Sequence, residues 1–508
     1  MKGLITPFCR AYVAGRTRAP QQVLWAAGVL LVLLGGHLRL QGLTASLSLD
    51  EFGTFWVVES GSTTTLTRAL QFQGQSPSFY LLPWISIRAA GESEAALRMP
   101  PIVIACLLCV VLYASGRLLC GPKGAAFAAV LGWLNPTAVR SSVEARPYSL
   151  SLLAVAGAVG AFLWAGRTGS LRAKVVWIVA GAAVAWAHYV QFPLVAGLVI
   201  ACAAIPELRA VYKVGRFVRD GLWHVALVGL CVPHLAALFV RRQALSWIDE
   251  PDRLVFVLVL LPLPPAIVLG SAAGFSRQDP AVRIARQALW IGLFTHVVVL
   301  ELASAFGMNL TAPRYSLVML VPGVLPAATA LARIRPVDVA IGFLGFAIIG
   351  GGALIARKSA TGTYSGIGFN DWWGAVEELS KRLQPVAEAI VFYRSGFAEE
   401  DLAPLSRLPA ATLAPLRSPR CAPVAWPATS LTFRRGNPQR EAYFDSVVVP
   451  RIGGSPEFFV LTAKGTPEKT PYPDVLVAWV QEKWPERFQV TCTNFGSVEI
   501  LEFRSPGP

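Results

Sequence analysis

The first 356 residues consist of long apolar runs separated by short polar segments. Most runs have roughly 18–22 residues, enough for a helix to cross a hydrocarbon core about 30 Å thick, and the third run is shorter. Hydropathy predicts about eleven membrane spans, near 22–43, 101–119, 124–137, 147–166, 174–189, 190–206, 222–240, 254–274, 288–306, 315–332 and 337–356. The fifth and sixth spans nearly meet at His188. The pattern therefore predicts an α-helical polytopic membrane protein.

The pattern changes after residue 356, where the chain becomes polar and proline-rich and has no further span. DWWGAVEELSKRLQPVAEAIVFY has the spacing of an amphipathic helix followed by a short strand. Further strands are predicted in EAYFDSVVVP, EFFVLTAK, RFQVTCT and SVEILEFR, with a long loop over 403–430. A segment of this length can hold a small core of its own. We expect a transmembrane domain over 1–356 and a soluble α/β domain over 357–508.

Composition supports a membrane protein. Hydrophobic residues make up 54% of the chain and charged residues only 15%, whereas a soluble domain usually has about 25% charged residues. The net charge of +15 could indicate a nucleic-acid partner, but no basic and aromatic binding module is present. In a membrane protein, excess Lys and Arg mark cytoplasmic loops and contacts with anionic lipid. We therefore expect membrane lipids, and not nucleic acid, as partners.

Charge also predicts the topology. The N-terminal segment MKGLITPFCRAYVAGRTRAP is basic, and no small-residue cleavage site follows the first apolar run, so we expect a retained first span with the N-terminus in the cytoplasm. The cytoplasmic segments of the resulting eleven-span topology carry 18 Lys and Arg, and the outer segments between spans carry 9, as the positive-inside rule requires. The first outer segment, 44–100, is unusually long. The soluble domain is then extracytoplasmic, and the inner cell membrane is the expected location.

Ionisable residues on the predicted outer side are candidates for a site at the mouth of the helical bundle. Asp50 and Glu51 precede the apolar run FGTFWVV, where carboxylates are costly unless they are paired or hydrogen-bonded. Glu59 and Glu94 are expected to be solvated loop charges. A histidine at a helix end, such as His188, is often only an interfacial residue. The other candidates on this side are Glu144, Arg146, Tyr189 and Arg314.

The cysteines and acids give little sign of a metal or a cofactor. No CxxC pair has metal-binding spacing, and no cofactor is expected. Asp50 and Glu51 together could hold a divalent cation. Cys421 and Cys492, the pair in the soluble domain, could form a disulfide in an oxidising compartment.

The order of the motifs resembles that of the GT-C glycosyltransferases, specifically the protein mannosyltransferase-like and lipid A aminoarabinose transferase-like group. The resemblance runs from about residue 20 to 375 and comprises LDEFGTFW, QSPSFYLLPW, GESEAALRMPPIV, SVEARPYSLSLL, HYVQFPL, PRYSLVMLVPG and DWWGAV. It implies an enzyme that takes a sugar from a polyprenyl-phosphate carrier. The sugar passes, with inversion, to a lipid, glycan or protein acceptor at the outer face of the membrane.

The resemblance also implies roles for individual residues. Asp50 matches the catalytic carboxylate, and Glu51 either supports it or faces water. Glu144 matches a second acid that orients the acceptor or the sugar. Arg146 and Arg314 match cations that hold the donor phosphate, a task that suits the planar guanidinium. Contacts with the donor are further implied for Tyr148, His188, Tyr189 and Tyr315.

Two other classes of protein remain as alternatives. A transporter or flippase of an amphipathic lipid or lipid-linked sugar would use the same outer acids and arginines for binding without chemistry. The sequence shows no internal repeat or paired broken helices of the kind that transporters have. A structural protein that anchors the soluble domain would leave the one-sided cluster of charges unexplained.

Overall fold

The computed structural model describes residues 21–43, 45–72, 77–212, 280–305, 317–332, 371–383, 390–394, 428–431, 448–463, 472–496 and 498–506, and the single positions 226, 229 and 445. The first long helix is α1 (Gln21–Leu43). Four short helical segments fill the polar stretch that follows: α2 (Leu49–Val58), α3 (Ser62–Phe72), a 3-10 helix (Pro77–Tyr80) and α4 (Leu81–Ala90). The predicted first outer segment is thus largely helical.

The next element, α5 (Glu94–Leu134), is a hairpin of two helical arms. The break lies at Cys120 and Gly121, where Gly121 has a φ of 74° that favours glycine. Pro122 follows, and a proline disfavours helical geometry in the residue before it. A Cβ atom on Gly132 would lie 2.2 Å from a Leu112 methyl, so the two arms pack closely side by side. The two predicted spans 101–119 and 124–137 correspond to these arms.

The remaining helices of the bundle are α6 (Pro136–Ser142), α7 (Tyr148–Thr168), α8 (Leu171–His188), α9 (Phe192–Ala204), α10 (Pro206–Tyr212), α11 (Pro280–Ala305) and α12 (Leu320–Leu331). Short 3-10 helices at Tyr189–Gln191 and Leu317–Met319 precede α9 and α12. Gly169 ends α7 in the left-handed conformation, a common helix terminator. Glycines also bring α9 and α11 together, since a Cβ on Gly197 would lie 2.6 Å from the Cα of Gly292.

The connections between helices lie at two opposite ends of this bundle. At one end, Thr329 donates a hydrogen bond to the Cys120 sulfur over 3.5 Å, and Gly166 lies near Leu208. At the other end, the His188 ring stacks on Tyr148, close to the start of α2. We call this second end the Asp50 end. The predicted outer turns within the described ranges all fall there.

Length and composition make four of the described helical segments able to cross a membrane: Glu94–Leu134, Tyr148–Thr168, Leu171–Ala204 and Val282–Ala305. Gly28–Leu43 and Leu317–Thr329 are shorter apolar helices. Eight of the eleven predicted spans coincide with described helices. The predicted spans 254–274 and 337–356 lie outside the described residues, and only positions 226 and 229 of the predicted span 222–240 are described. The prediction of a polytopic helical protein is confirmed.

The C-terminal region contains a small five-stranded sheet. Its elements are α13 (Trp372–Leu383), β1 (Ile390–Arg394), β2 (Ala428–Leu431), α14 (Val449–Ile452), β3 (Glu457–Ala463), α15 (Tyr472–Lys483), β4 (Gln489–Phe495) and β5 (Val498–Arg504). The strand order is β2-β1-β3-β5-β4. The pairs β1–β2 and β1–β3 are parallel, whereas β3–β5 and β4–β5 are antiparallel. The predicted α/β composition is confirmed.

The two faces of this sheet have different partners, as the two-residue period of strand side chains allows. One face packs with Val448, Ile452, Val480 and Phe488. The other face packs on α13 and, in the same hydrophobic cluster, on α2. The rings of Phe52 in α2 and Trp372 in α13 meet edge to face with centroids 5.9 Å apart. The sheet and the segment that carries Asp50 therefore share one core.

Three local predictions are wrong. Glu94 is not a solvated loop charge, because α5 begins at this residue and buries it. Glu59 is not fully solvated either, because it is largely buried and pairs with Arg68. The end of EAYFDSVVVP is the helical turn α14 and not a strand, in keeping with a proline in its first turn. Cys421 lies outside the described residues, so its pairing with Cys492, which is exposed on β4, stays a prediction.

Candidate functional site

The site begins at the N-terminus of α2, where Ser48 is the N-cap residue. The backbone N–H of Ser48 donates to Glu51 Oε2 over 2.9 Å, which is the reciprocal contact of a capping box. This contact turns the Glu51 side chain back toward the segment before the helix. Asp50, one residue earlier in the first turn, is only partly buried. The two adjacent acids therefore lie in different surroundings.

Glu51 forms a buried ion pair with Arg98 of α5. Arg98 Nη2 lies 2.6 Å from Glu51 Oε2 and Nε lies 2.8 Å from Oε1, a two-point contact, and both side chains are only 2% exposed. Arg98 also donates to the carbonyls of Gly42, Ala45 and Ser46. It thereby fixes the chain between α1 and α2 to the start of α5.

A third contact joins Glu51 to the segment after α6. The backbone N–H of Ala145 donates to Glu51 Oε1 over 2.9 Å. Burial alone would raise the pKa of Glu51, but the Arg98 charge and the hydrogen bonds from Arg98, Ser48 and Ala145 lower it below its usual value. Glu51 is thus an ionised carboxylate whose two oxygens are both engaged. Its role in this geometry is to hold two chain segments together around Asp50.

Arg146 places a positive charge beside Asp50. Its Nη1 donates to the Asp50 carbonyl over 3.3 Å, and its side chain is 9% exposed. Burial acts to lower the pKa of Arg146, but Tyr80, Asp50 and Tyr148 raise it above its usual value, with a hydrogen bond to Tyr148. The guanidinium is therefore a fixed cation at the Asp50 end.

Glu144 lies close to the same charges. Arg140 Nε donates to Glu144 Oε1 over 3.1 Å, in a pair one helical turn apart. Burial raises the pKa of Glu144, and the charges of Glu51 and Asp50 raise it further against the opposing effect of Arg140. The second predicted acid is therefore brought near the first two, in an environment that favours its protonated form.

Aromatic rings form the other side of the cluster. The His188 ring is buried, stacks on Tyr148 with centroids 6.3 Å apart and tilts against Tyr189 at 5.7 Å. His188 has extended backbone angles at the end of α8, which turns the chain into the 3-10 helix before α9. Ser78 Oγ donates to the Trp186 carbonyl over 2.7 Å and ties the first outer segment to the end of α8.

Comparisons with known proteins bear on the fold that carries this group. Residues 74–236 match the family model described as dolichyl-phosphate-mannose-protein mannosyltransferase. ArnT from Cupriavidus metallidurans in the apo state superposes with a TM-score of 0.54 at 13% identity, covering 93% of this chain and 97% of that chain. The chain has an ArnT-like GT-C fold. The resemblance stated from the sequence motifs is confirmed.

Two further structures share the GT-C fold with this chain. ArnT from Cupriavidus metallidurans bound to undecaprenyl phosphate has a TM-score of 0.52 at 12% identity, covering 93% of this chain and 97% of that chain. The oligosaccharyltransferase AglB from Archaeoglobus fulgidus, in complex with an inhibitory peptide and a dolichol-phosphate, has a TM-score of 0.50 at 12% identity and covers 95% of this chain and 74% of that chain. No curated protein sequence matches the chain.

Within this GT-C fold, seven of the nine predicted site residues form one group at the Asp50 end: Asp50, Glu51, Glu144, Arg146, Tyr148, His188 and Tyr189. Arg314 and Tyr315 lie outside the described residues, so their roles stay predictions. Among the residues that the structure describes, no three His, Cys, Asp or Glu side chains are grouped closely enough to hold a metal ion.

Two residues of the group were not among the predicted site residues. Arg98 follows Glu94 by one helical turn at the start of a long apolar run, and a charge in that place needs a partner. Tyr80 lies in QSPSFYLLPW, is fully buried and acts electrostatically on Arg146. Both residues lie in segments that carry the family resemblance. That resemblance was the feature of the sequence that could have identified them.

Proposed function

We propose that the protein transfers a sugar from a polyprenyl-phosphate carrier to a hydroxyl or amine of an acceptor at the outer face of the membrane. The observation that carries the proposal is the fixed cation Arg146 beside the partly exposed Asp50. Glu51, Arg98 and Ala145 hold these two in place. A cation next to a carboxylate suits a reaction that removes a proton from one reactant and leaves negative charge on the other.

Asp50 accepts the proton of the acceptor as its oxygen or nitrogen attacks the anomeric carbon. The bond from that carbon to the carrier phosphate breaks, and its electron pair stays on the phosphate oxygen. Arg146 stabilises the charge that develops there, since a guanidinium can bind two phosphate oxygens at once. Attack from the side opposite the phosphate inverts the anomeric carbon. Arg314 and Tyr315 are proposed to complete the phosphate site.

The other residues of the group support these two. Glu144, which lies near Asp50 and Glu51, is proposed to orient the acceptor or the sugar. His188, Tyr148 and Tyr189 form the aromatic wall against which the sugar or phosphate lies. Other GT-C structures contain undecaprenyl phosphate or dolichol-phosphate, and these lipids support a polyprenyl phosphate as the carrier for this chain.

The proposal is tested by sugar release from polyprenyl-phosphate-linked sugars, with the full chain in lipid nanodiscs and membrane extract as the source of acceptor. Removal of a positioned base typically lowers a rate by about 10²–10⁴-fold, and we expect a loss of that size in Asp50→Asn. Asp445→Asn changes a largely exposed acid that pairs with Lys483 in the C-terminal region. This control should keep the wild-type rate.

Two results would contradict the proposal in different ways. Wild-type protein that releases no sugar from any donor, yet moves lipid-linked sugar across a vesicle membrane, would indicate a flippase. An Asp50→Asn variant within a few-fold of the wild-type rate would show that Asp50 is not the base.

A further inference from the structure

The end of α15 carries a group of aromatic residues that the proposed transfer reaction does not use. Trp479 lies in α15 and Trp484 directly follows it, with ring centroids 5.8 Å apart and ring planes at 82°. The Trp484 ring also meets Phe488 edge to face at 6.0 Å. Both tryptophans pack against the hydrophobic cluster on the sheet face opposite to α2, and both are only partly buried. These two large residues therefore keep part of their surface open to solvent.

Arg487 is held beside these rings. Its guanidinium carbon lies 5.7 Å from the ring centroid of Trp484 and 4.9 Å from that of Phe488. Its Nη2 donates to the carbonyl of Gly453 over 2.7 Å and to that of Ser455 over 3.4 Å. Among the residues that the structure describes, Nε and Nη1 of Arg487 donate to no group. The guanidinium thus has a fixed place next to the indole ring and keeps hydrogen-bond donors for a ligand.

The turn between α15 and β4 contains a strained residue. Glu486 has a φ of 62°, in the left-handed region that favours glycine, and within the described ranges it is the one residue other than glycine with a positive φ. Its side chain is exposed and makes no hydrogen bond or ion pair with the rest of the described chain. Folding would be served better by glycine at this position. A residue that keeps backbone strain without stabilising the fold points to a function.

The charges around the two tryptophans exclude several classes of ligand. Glu482 and Glu486 are exposed acids, Arg487 is a cation, and Lys483 pairs with Asp445 over 2.8 Å. Binding to an anionic membrane surface or to a nucleic acid requires an excess of Lys and Arg, which this surface does not have. The ligand that suits it is therefore neutral, with an apolar face for the rings and hydroxyls for the polar groups.

A saccharide has these properties. A sugar ring has a face of C–H groups that can pack on an indole ring, and its hydroxyls both donate and accept hydrogen bonds. We propose that Trp479, Trp484, Glu486 and Arg487 form a binding site for a neutral glycan. Arg487 supplies donors to the hydroxyls and Glu486 supplies acceptors. Because the tryptophans pack on the sheet face opposite to α2, this site is separate from the group around Asp50, and the inference goes beyond the proposed function.

The test measures binding of soluble oligosaccharides to the full chain in lipid nanodiscs by titration calorimetry. The probes are linear pentasaccharides of glucose, mannose, galactose and N-acetylglucosamine. We expect at least one of them to bind the wild-type protein. Trp484→Ala should weaken this binding at least tenfold, a loss typical of a tryptophan at the centre of an interface. The control Trp290→Ala removes a tryptophan that is 44% exposed on α11, and its affinity for the saccharide should equal that of the wild type.

A second variant separates binding from folding, because Trp484→Ala also removes contacts with Trp479 and Phe488. Glu486→Gly relieves the strained backbone, so its unfolding temperature without ligand should equal or exceed that of the wild type. Its affinity for the saccharide should nevertheless fall about three- to tenfold, the loss typical of one hydrogen bond. Flotation of the nanodiscs with vesicles of phosphatidylcholine, with and without phosphatidylglycerol, tests a lipid surface as the alternative ligand.

Each outcome supports or overturns the glycan site. Wild-type protein that binds none of the four saccharides would overturn it, and so would an affinity that neither Trp484→Ala nor Glu486→Gly changes. Vesicle binding that depends on Trp484, without saccharide binding, would assign the surface to lipid. A lower unfolding temperature of Glu486→Gly with unchanged saccharide affinity would show that Glu486 serves the fold. Saccharide binding by a protein that never releases sugar from a carrier would overturn the transfer reaction alone and leave the glycan site standing.

Discussion

The ion pair between Glu51 and Arg98 allows a prediction of definite size. Arg98→Met removes the charge and all of the hydrogen bonds that Arg98 makes, and leaves Glu51 ionised in a place where it is 2% exposed. Breaking a buried pair by removing one partner typically costs about 3–5 kcal/mol, because the remaining charge is buried without compensation. Arg98→Met and Glu51→Gln should each lower the free energy of unfolding by an amount of this order.

The double variant distinguishes an interaction from two separate losses. Glu51→Gln combined with Arg98→Met leaves no uncompensated charge, so its loss of stability should be smaller than the sum of the single losses by about 1–3 kcal/mol. The pair of Glu59 and Arg68 in the same outer segment is more exposed. Glu59→Gln should therefore cost only about 0.2–1 kcal/mol.

Hydrogen exchange of individual amides in nanodiscs is a suitable assay, because it reports local opening without requiring the whole chain to unfold in one step. The amides of Ser48 and Ala145 donate to Glu51. They should exchange about 10²–10³-fold faster in Arg98→Met, since each 1.4 kcal/mol is a factor of ten. Unchanged exchange at both amides, or losses in the double variant that simply add, would refute the role given to this ion pair.

Three further predictions concern other parts of the molecule. Because the pKa of Glu144 is raised, the wild-type protein should lose stability relative to Glu144→Gln as pH rises from the ordinary pKa of a glutamate to the raised one. Its unfolding temperature should therefore fall relative to that of the variant over this interval, and parallel curves would contradict the shift. Gly197→Ala should lower the free energy of unfolding by about 1–3 kcal/mol, because α9 and α11 must separate to make room for the methyl group. The control Gly157→Ala adds a methyl group in open space and should not lower the unfolding temperature. Trp372→Ala should speed amide exchange in α2 by at least tenfold. Phe503→Ala, on the opposite face of the sheet, should speed amide exchange in the sheet but not in α2. Equal effects of the two variants on α2 would argue against the shared core.

The helices of the bundle could be predicted well because each depends on a local pattern. An apolar run of sufficient length specifies a span wherever it occurs, and CGPKG marks the break of α5 through a glycine and the proline after it. Which turns share an end of the bundle could also be predicted, because the turns alternate between its two ends. Among the described acids and arginines that the charge count placed on one side, Asp50, Glu51, Glu144 and Arg146 do lie together.

The errors arose where the relevant partner is distant in sequence. Glu94 and Arg98 look like loop charges beside a span, since a hydropathy window discards a charged first turn. The partners of Arg98 are Glu51 and the carbonyls between α1 and α2, and no local pattern identifies these. The position of the sheet against α2 could not be predicted for a similar reason, since an apolar face does not specify what will cover it.

The shared core has a consequence for how the protein is made. Ribosomes deliver the chain from its N-terminus, so the helices of the bundle enter the membrane before the last strands exist. Phe52 and its neighbours in α2 share a hydrophobic cluster with Val498 and Ile500, which exist only when β5 has been synthesised. Until then the segment with Asp50 lacks one of its walls. Synthesis of β5 is thus a late step in assembling the site, and a chain interrupted before β5 should be inserted in the membrane but inactive.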